Sequence, residues 1–341
     1  MTRRWWACAR LVAAGAVLAV IVVRLGTGPF LTGLRSVGGS SIAAACGIAV
    51  LSTAACAWRW CVIARGLGVP LRFGTALAAY YRSQFLNGTL PGGIIGDIHR
   101  GVRHGRATGE LGGALRAVAW ERTSGQAVQA VVAVVLLSLA PSPIRERMPL
   151  VLIAIALCAV VVGLALRAAP QGGSSRWARA RRRVLADLRQ VVIARKRWPV
   201  VAGTSLVALV GHAATFMIAA RAAGSTASTA QLLPLTVVVL LAAAVPTNFG
   251  GWGPREGVAA WAFAAAGLGA AQGVAAGTAY GVLAAAASLP GAVVLIAGWL
   301  RGRAGLATAA PAPAPAPAPA SVAGHRRSEP VRVPAREVFN G

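Results

Sequence analysis

Apolar runs separated by short polar, arginine-bearing segments fill most of this chain. The runs read as candidate spanning helices at 6–25, 40–63, 114–140, 149–168, 199–221, 232–248, 257–271 and 273–299; most approach the roughly 20 apolar residues that a bilayer crossing needs. The pattern predicts an all-α polytopic membrane protein with about eight transmembrane helices. Two places break it. One is Arg82-Ser-Gln-Phe-Leu-Asn87-Gly-Thr-Leu-Pro91-Gly92-Gly93-Ile-Ile-Gly96-Asp97, the other Pro246-Thr-Asn248-Phe-Gly250-Gly251-Trp-Gly253-Pro-Arg255-Glu256-Gly257. Non-helical backbone at membrane depth persists only where protein or a water-filled cavity shields it. Paired breaks in two halves are the pattern of a transporter-like site near the midplane, with an inverted repeat behind it.

The polar flanks refine the topology. Residues 74–95 are apolar, yet Arg59, Arg65 and Arg72 precede them and Arg100, Arg103 and Arg106 follow. A full crossing would leave one basic cluster outside, against the positive-inside bias. A re-entrant segment over about 74–97 satisfies both flanks. Loop 167–198 carries ten basic residues against the single acid Asp187, so it is expected inside, giving eight spans and both termini cytoplasmic. A second hairpin entering from outside with its tip at Pro246–Gly257 is the alternative for 232–271.

Composition removes whole classes of function. The chain is 57% hydrophobic and 12% charged, with a mean hydropathy of +0.66, which excludes a soluble globule. Its net charge of +26 comes from 33 arginines and one lysine, Lys196. These lie in loops between apolar runs, so no nucleic-acid partner is expected. Within 174–197, Val184, Leu185, Leu188, Val191 and Val192 recur at helical spacing, which fits either a basic amphipathic helix on an anionic membrane surface or a solvated cytoplasmic loop. None of the five cysteines forms a Cys-x-x-Cys pair. Residues 1–300 read as the membrane domain and 301–341 as a disordered cytoplasmic tail, with an extended Pro-Ala run at 311–320. Gly273, Gly277 and Gly281 lie on one helix face and allow close helix approach, within the chain or in a homo-oligomer.

The ionisable residues expected inside the membrane are Arg82, Asp97, Glu121, Arg122, Arg255 and Glu256. Each costs at least about 2.5–3.5 kcal/mol near the bilayer centre and so needs a partner or a cavity. Helix neighbours point about 100° apart, so the adjacent pairs Glu121-Arg122 and Arg255-Glu256 are expected to find partners elsewhere. Glu121 with Arg255, or Arg122 with Glu256, would join the two halves. Asn87 and Asn248 can cap a broken helix or contact a ligand. Glycines 92, 93, 96, 250, 251 and 253 can take positive φ and leave N–H groups unblocked. A half-helix from Gly257 onward offers a phosphate site at its N-terminus, beside Arg255. Asp97, His99, His104 and Glu110 match no metal-ligand spacing. No nucleophile triad, phosphate loop or dinucleotide fingerprint is present, so no cofactor, metal or catalytic residue is expected. His212 reads as a packed, hydrogen-bonded histidine.

In this order and combination the segments resemble the membrane region of the lysylphosphatidylglycerol synthase/flippase family. Arg82, Asn87, Leu90-Pro91-Gly92-Gly93, Gly96-Asp97, Arg100, Glu121-Arg122, Pro246-x-Asn248-x-Gly250-Gly251, Gly253, Arg255 and Glu256 carry the likeness, over roughly residues 10–300. Family members with a cytosolic aminoacyl-transfer domain make aminoacylated phosphatidylglycerol, and their membrane half is associated with moving it across the bilayer. This sequence ends after the membrane region, so a stand-alone, non-enzymatic member of the cell (inner, plasma) membrane is expected. The resemblance implies a lipid translocase for a phospholipid or a polyprenyl-phosphate-linked lipid. Arg82, Asn87, Pro91, Gly92, Gly93, Asp97, Arg100, Glu121, Arg122, Asn248, Gly250, Gly251, Arg255 and Glu256 would line the path of this anionic or phosphate-bearing lipid. The rivals are a polyprenyl-phosphate transferase with Asp97 or Glu256 as base, and a scaffold acting through its basic loop and tail.

Overall fold

The computed structural model of the chain describes residues 19–140, 176–192, 197–244 and 252–308, together with residue 16 and six positions between 153 and 164. Expectations for most of 6–25 and 149–168, for Pro246–Gly251 and for the Pro-Ala tail fall outside the described residues. Chain contacts divide it into Met1–Trp299 and Leu300–Gly341. The helix packing and the site belong to the first unit.

Among the described residues the chain is helical. The helices are α1 (Gly28–Arg35), α2 (Gly39–Gly66), α3 (Phe73–Thr89), α4 (Ile95–Thr108), α5 (Leu111–Leu139), α6 (Arg176–Asp187, continued by a π-turn Leu188–Val192), α7 (Trp198–Ala222), α8 (Thr229–Ala243), α9 (Pro254–Ala265), α10 (Ala270–Ser288) and α11 (Pro290–Thr308). Four segments are long and apolar enough to cross a bilayer: α2, α5, α7 and the run Ala270–Leu300. Two expected spans fail this test. Helix α8, 15 residues that overlap the run expected at 232–248, and α9, 12 residues that overlap 257–271, reach only about 22 Å and 18 Å at 1.5 Å per residue. Both are too short for a crossing, and they pack on each other instead.

The same order occurs twice, a long helix, two short ones joined by a break, and another long one. In the first half these are α2, α3, α4 and α5; in the second, α7, α8, α9 and α10. Helices α2 and α7 pack antiparallel. Ser52 lies against Gly211, while Arg59 reaches back to Ser205, 2.8 Å away. The first pair of short helices therefore opens at one end of the bundle and the second at the other, as an inverted repeat requires.

Local sequence makes the first break. Helix α3 stops at Thr89 before Pro91, and Gly92 (φ 95°) and Gly93 (φ 63°) turn the chain through the left-handed region, which side chains with a Cβ resist. Helix α4 then runs back along α3. Asn87 fixes the turn, its Oδ1 accepting the Gly96 N–H at 2.8 Å. Gly96 itself is helical and is needed for another reason, since a Cβ there would enter the Ser83 backbone. Glycines 101 and 105 bring α4 equally close to α5, where a Cβ on Gly105 would lie 2.6 Å from Leu111 Cα. The 17 residues of α3 cover about 25 Å and the 29 residues of α5 about 43 Å. The tip of the hairpin shares a cavity wall with Gln126, leaving the last 13 residues of α5 to run on past it.

The largest apolar cluster surrounds Phe216 (α7), Leu235 (α8), Phe263 (α9) and Tyr280 (α10). Gly273, Gly277 and Gly281 receive α9 there. The Ala259 carbonyl sits over Gly273, Ala259 Cβ would lie 3.5 Å from a Cβ on Gly277, and Arg255 Nη2 would lie 2.5 Å from one on Gly281. This face is filled within the chain, which removes it as the surface for a homo-oligomer. Helix α6 is anchored by Asp187, the lone acid of the basic loop. Its carboxylate forms an ion pair with Arg116, 2.9 Å from Nε, and accepts a hydrogen bond from Trp120 Nε1 at 3.1 Å, both on α5.

Replacing Gly273 by Val should force α9 off α10. The expected loss is about 1–3 kcal/mol, typical of overpacking, read as a lower Tm in detergent with an unchanged oligomeric state.

Candidate functional site

Four helices of the first half converge on two carboxylates. Glu121, on α5, is fully buried. Its Oε1 accepts from Arg59 Nε at 3.0 Å, from Arg59 Nη2 and from Tyr80 Oη at 3.1 Å, while its Oε2 accepts from Arg100 Nη2 at 2.6 Å. Asp97, in the first turn of α4, has four donors. Ser83 Oγ (3.1 Å) and Arg100 Nε (2.9 Å) reach Oδ1; Asn87 Nδ2 (2.9 Å) and Arg122 reach Oδ2. Arg100 links the two acids, its guanidinium held between the rings of Trp60 (4.6 Å) and Tyr80 (4.4 Å). Gly125 makes room for Arg59, since a Cβ there would lie 2.9 Å from Nη2.

Breaking a buried ion pair of this kind costs about 3–5 kcal/mol, because the surviving charge has no water to turn to. The cluster is not neutral. Arg59, Arg100 and Arg122 face only Asp97 and Glu121, which leaves one positive charge over.

The second half is built differently. Arg255 and Glu256 bridge each other, Nε to Oε1 at 2.9 Å, and this corrects the expectation that neighbours on a helix cannot pair. The pair sits in the first turn of α9, where Glu256 also folds back so that Oε2 accepts the Gly253 N–H at 2.7 Å. Gly253 has no side chain, so only the reach-back half of a capping box is present. The guanidinium of Arg255 is flanked by Trp252 (5.8 Å) and Tyr280 (5.2 Å). The helix starts at Pro254, not Gly257, and its positive N-terminal end is already met by Glu256. The phosphate site expected there is occupied by the protein's own carboxylate.

Cross-pairing of Glu121 with Arg255 and of Arg122 with Glu256 is thereby overturned. Among the described residues, the side-chain hydrogen bonds that join the halves here are Arg59 with Ser205 and a 3.5 Å approach of Gln126 Nε2 to the Ala244 carbonyl. That second contact closes one side of a cavity of about 340 Å3 between α4 and α5. Ile94, Ile98, Leu115 and Val118 give it an apolar wall, and Asp97, Arg122, Thr123 and Gln126 a polar one. Arg122 is bound only to Asp97, and 39% of its side chain remains exposed on that wall.

Compared with known protein families, residues 8–291 match the lysylphosphatidylglycerol synthase TM region. The chain belongs to that family. No curated protein and no solved structure gives a match.

Of the residues through which the resemblance to this family was drawn, the structure gathers Asn87, Asp97, Arg100, Glu121 and Arg122 into one cluster, with Pro91, Gly92 and Gly93 forming the turn above it. Arg82 lies apart on α3, and Arg255 and Glu256 lie in the second half. Asn248, Gly250 and Gly251 fall outside the described residues. Asn87 performs the capping expected of it. Sequence reasoning missed Arg59, Trp60 and Tyr80. The signal for Arg59 was present, since it lies inside the run 40–63 and is as costly there as any other intramembrane arginine. Among the weaker candidates, His104 bonds the Val69 carbonyl at 3.0 Å, and His212 pairs with Tyr280 Oη at 3.2 Å.

A double-mutant cycle tests the pairing. Glu121→Gln should destabilise the protein by about 3–5 kcal/mol in detergent unfolding. It should couple strongly to Arg59→Gln and combine additively with Arg255→Gln.

Proposed function

We propose that this protein moves a phosphate-bearing lipid across the bilayer, its headgroup held in the cavity between α4 and α5 and its acyl chains left in surrounding lipid. The observation that carries this reading is Arg122. Its partner Asp97 is shared with Arg100, so the surplus positive charge of the cluster reaches the cavity wall. The apolar wall beside it suits the glycerol and first methylenes of a lipid. Lysylphosphatidylglycerol, phosphatidylglycerol and polyprenyl phosphates all present an anionic phosphate that an arginine fork can clamp.

The transferase alternative has less support. A base needs a free carboxylate oxygen, and both oxygens of Asp97 and of Glu256 are engaged. In the transport reading, α3–α4 and α8–α9 are re-entrant hairpins from opposite faces, with the basic ends of α2 and α4 and helix α6 toward the cytoplasm. Exchanging two crossings for one hairpin leaves the parity unchanged, so both termini stay on the cytoplasmic side of the plasma membrane.

Topology is checked with single cysteines in a cysteine-free background. Pro70→Cys and Ala107→Cys should both resist an impermeant reagent added outside, whereas Thr226→Cys and Ala266→Cys should both react. Labelling of one member of either pair alone would mean that hairpin crosses the membrane.

Transport is checked in vesicles of phosphatidylcholine and phosphatidylglycerol carrying fluorescent phosphatidylglycerol, quenched from outside. Arg122→Gln should slow movement by roughly tenfold or more, the loss of one charge-assisted hydrogen bond, while keeping its Tm near that of the parent. An unchanged rate would remove the cavity from the transport path.

A further inference from the structure

Arg82 is the buried cation that the fold does not explain. It is only 7% exposed, and its Nε is buried without a hydrogen-bond partner. No ion pair reaches it among the described residues. Among the described residues, the buried carboxylates are committed elsewhere. Asp97 and Glu121 serve Arg59, Arg100 and Arg122, Asp187 serves Arg116, and Glu256 serves Arg255.

Its neighbours deepen the imbalance. The antiparallel contacts of α3 with α4, Ser83 to Asp97 at 3.1 Å and Tyr80 to Arg100 at 4.4 Å, set Arg82 level with His99. One turn toward the open end of the hairpin, Arg103 follows on the exposed face of α4. The three feel one another's charge and none has a carboxylate among them. Counted from the open end of the hairpin, Arg103 lies about 8 Å in and Arg82 and His99 about 13 Å in, at 1.5 Å per residue. The cavity occupied by Arg122 lies on the other flank of α4, toward α5.

We infer that Arg82, His99 and Arg103 form a second anion site, on the α3 flank of the first hairpin, which takes the phosphate of an anionic headgroup on its way from the membrane surface. This rests on the reading of the protein as a carrier of phosphate-bearing lipid. A bare, strongly charged side chain kept in a buried place without a counter-ion is a stability cost. A ligand that supplies the counter-charge accounts for its presence.

The test uses the full chain in neutral detergent, with Tm followed during titration by short-chain phosphatidylglycerol, short-chain phosphatidylcholine or inorganic phosphate. Phosphatidylglycerol should raise Tm more than phosphatidylcholine does. Arg82→Met should raise Tm in the absence of lipid, because it removes an unpaired charge, and should flatten the response to phosphatidylglycerol. Should Arg82→Met fail to fold, the exposed double variant His99→Gln/Arg103→Gln decides; it should need roughly tenfold more phosphatidylglycerol for the half-maximal shift.

A lower Tm for Arg82→Met with an intact lipid response would make Arg82 a structural residue and overturn the inference. So would an unchanged response in the double variant, or equal shifts with both lipids. A rise with inorganic phosphate alone that Arg82→Met abolishes would keep the site and assign it to soluble phosphate. The two readings fail separately. If Arg82-dependent binding survives while vesicles show no lipid movement, transport falls and the anion site stands. If movement depends on Arg122 but lipid binding ignores Arg82, the reverse holds.

Discussion

Two carboxylates buried against three arginines are the constraint on which the first half of this fold depends. Glu121 has no exposed surface, and its four donor atoms come from α2, α3 and α4 while it sits on α5. Asp97 repeats the pattern with donors from α3, α4 and α5. Each bond restricts where a helix may stand, because an unsatisfied charge at this depth would cost more than any loss of apolar packing there could recover. The small residues follow from this requirement. Gly96 lets α4 close on α3 so that Asp97 meets Ser83, and Gly125 opens the space that the Arg59 guanidinium fills. Apolar contact alone would leave these helices free to slide, since lipid tails solvate their outer faces equally well.

The second half answers the same difficulty by other means. Each half has a short helix that begins after a break, leaving N–H groups at its start that need a partner. In both, the third residue of that helix is an acid, Asp97 in α4 and Glu256 in α9. Glu256 caps its own helix start and neutralises the adjacent Arg255, forming a closed unit. Asp97 leaves the cap to Asn87 and is drawn into the arginine cluster instead. From matching positions in an inverted order, one acid has become structural and self-contained, while the other is joined to a cavity.

The sequence made the breaks legible, and for a clear reason. Proline and paired glycines inside an apolar run have few structural meanings, so Pro91-Gly92-Gly93 could be placed at a turn before any coordinates. Within 74–97 the structure does turn the chain back, α4 running along α3. Pairing was not legible. Arg255 and Glu256 were assigned partners across the chain on the rule that helix neighbours diverge, but that rule describes the middle of a helix. In the first turn there is no preceding turn to obstruct a side chain, and Glu256 swings back to the Gly253 N–H with Arg255 alongside. Arg59 was hidden by its position near the end of a run, where it read as a topological flank. At 232–248 and 257–271 hydropathy, which measures only apolarity, does not show that α8 and α9 are each shorter than the other candidate spans.

The identity of the cations also matters. A buried lysine can shed its proton and enter apolar surroundings neutral, whereas the guanidinium of arginine keeps its charge at any depth. With 33 arginines and one lysine, this chain cannot relieve a surplus charge by deprotonation. Within the cluster every carboxylate oxygen is already bound, so the surplus cannot be cancelled by rearranging partners either. It rests on Arg122, which has a single ion-pair partner and faces the cavity, and the same reasoning applies to Arg82, which has none among the described residues. Among the described residues the buried carboxylates are all engaged, so an anion from outside the chain would complete the electrostatics of either position. The rigidity of the Glu121 cluster and the openness of the arginines beside it are thus parts of one arrangement.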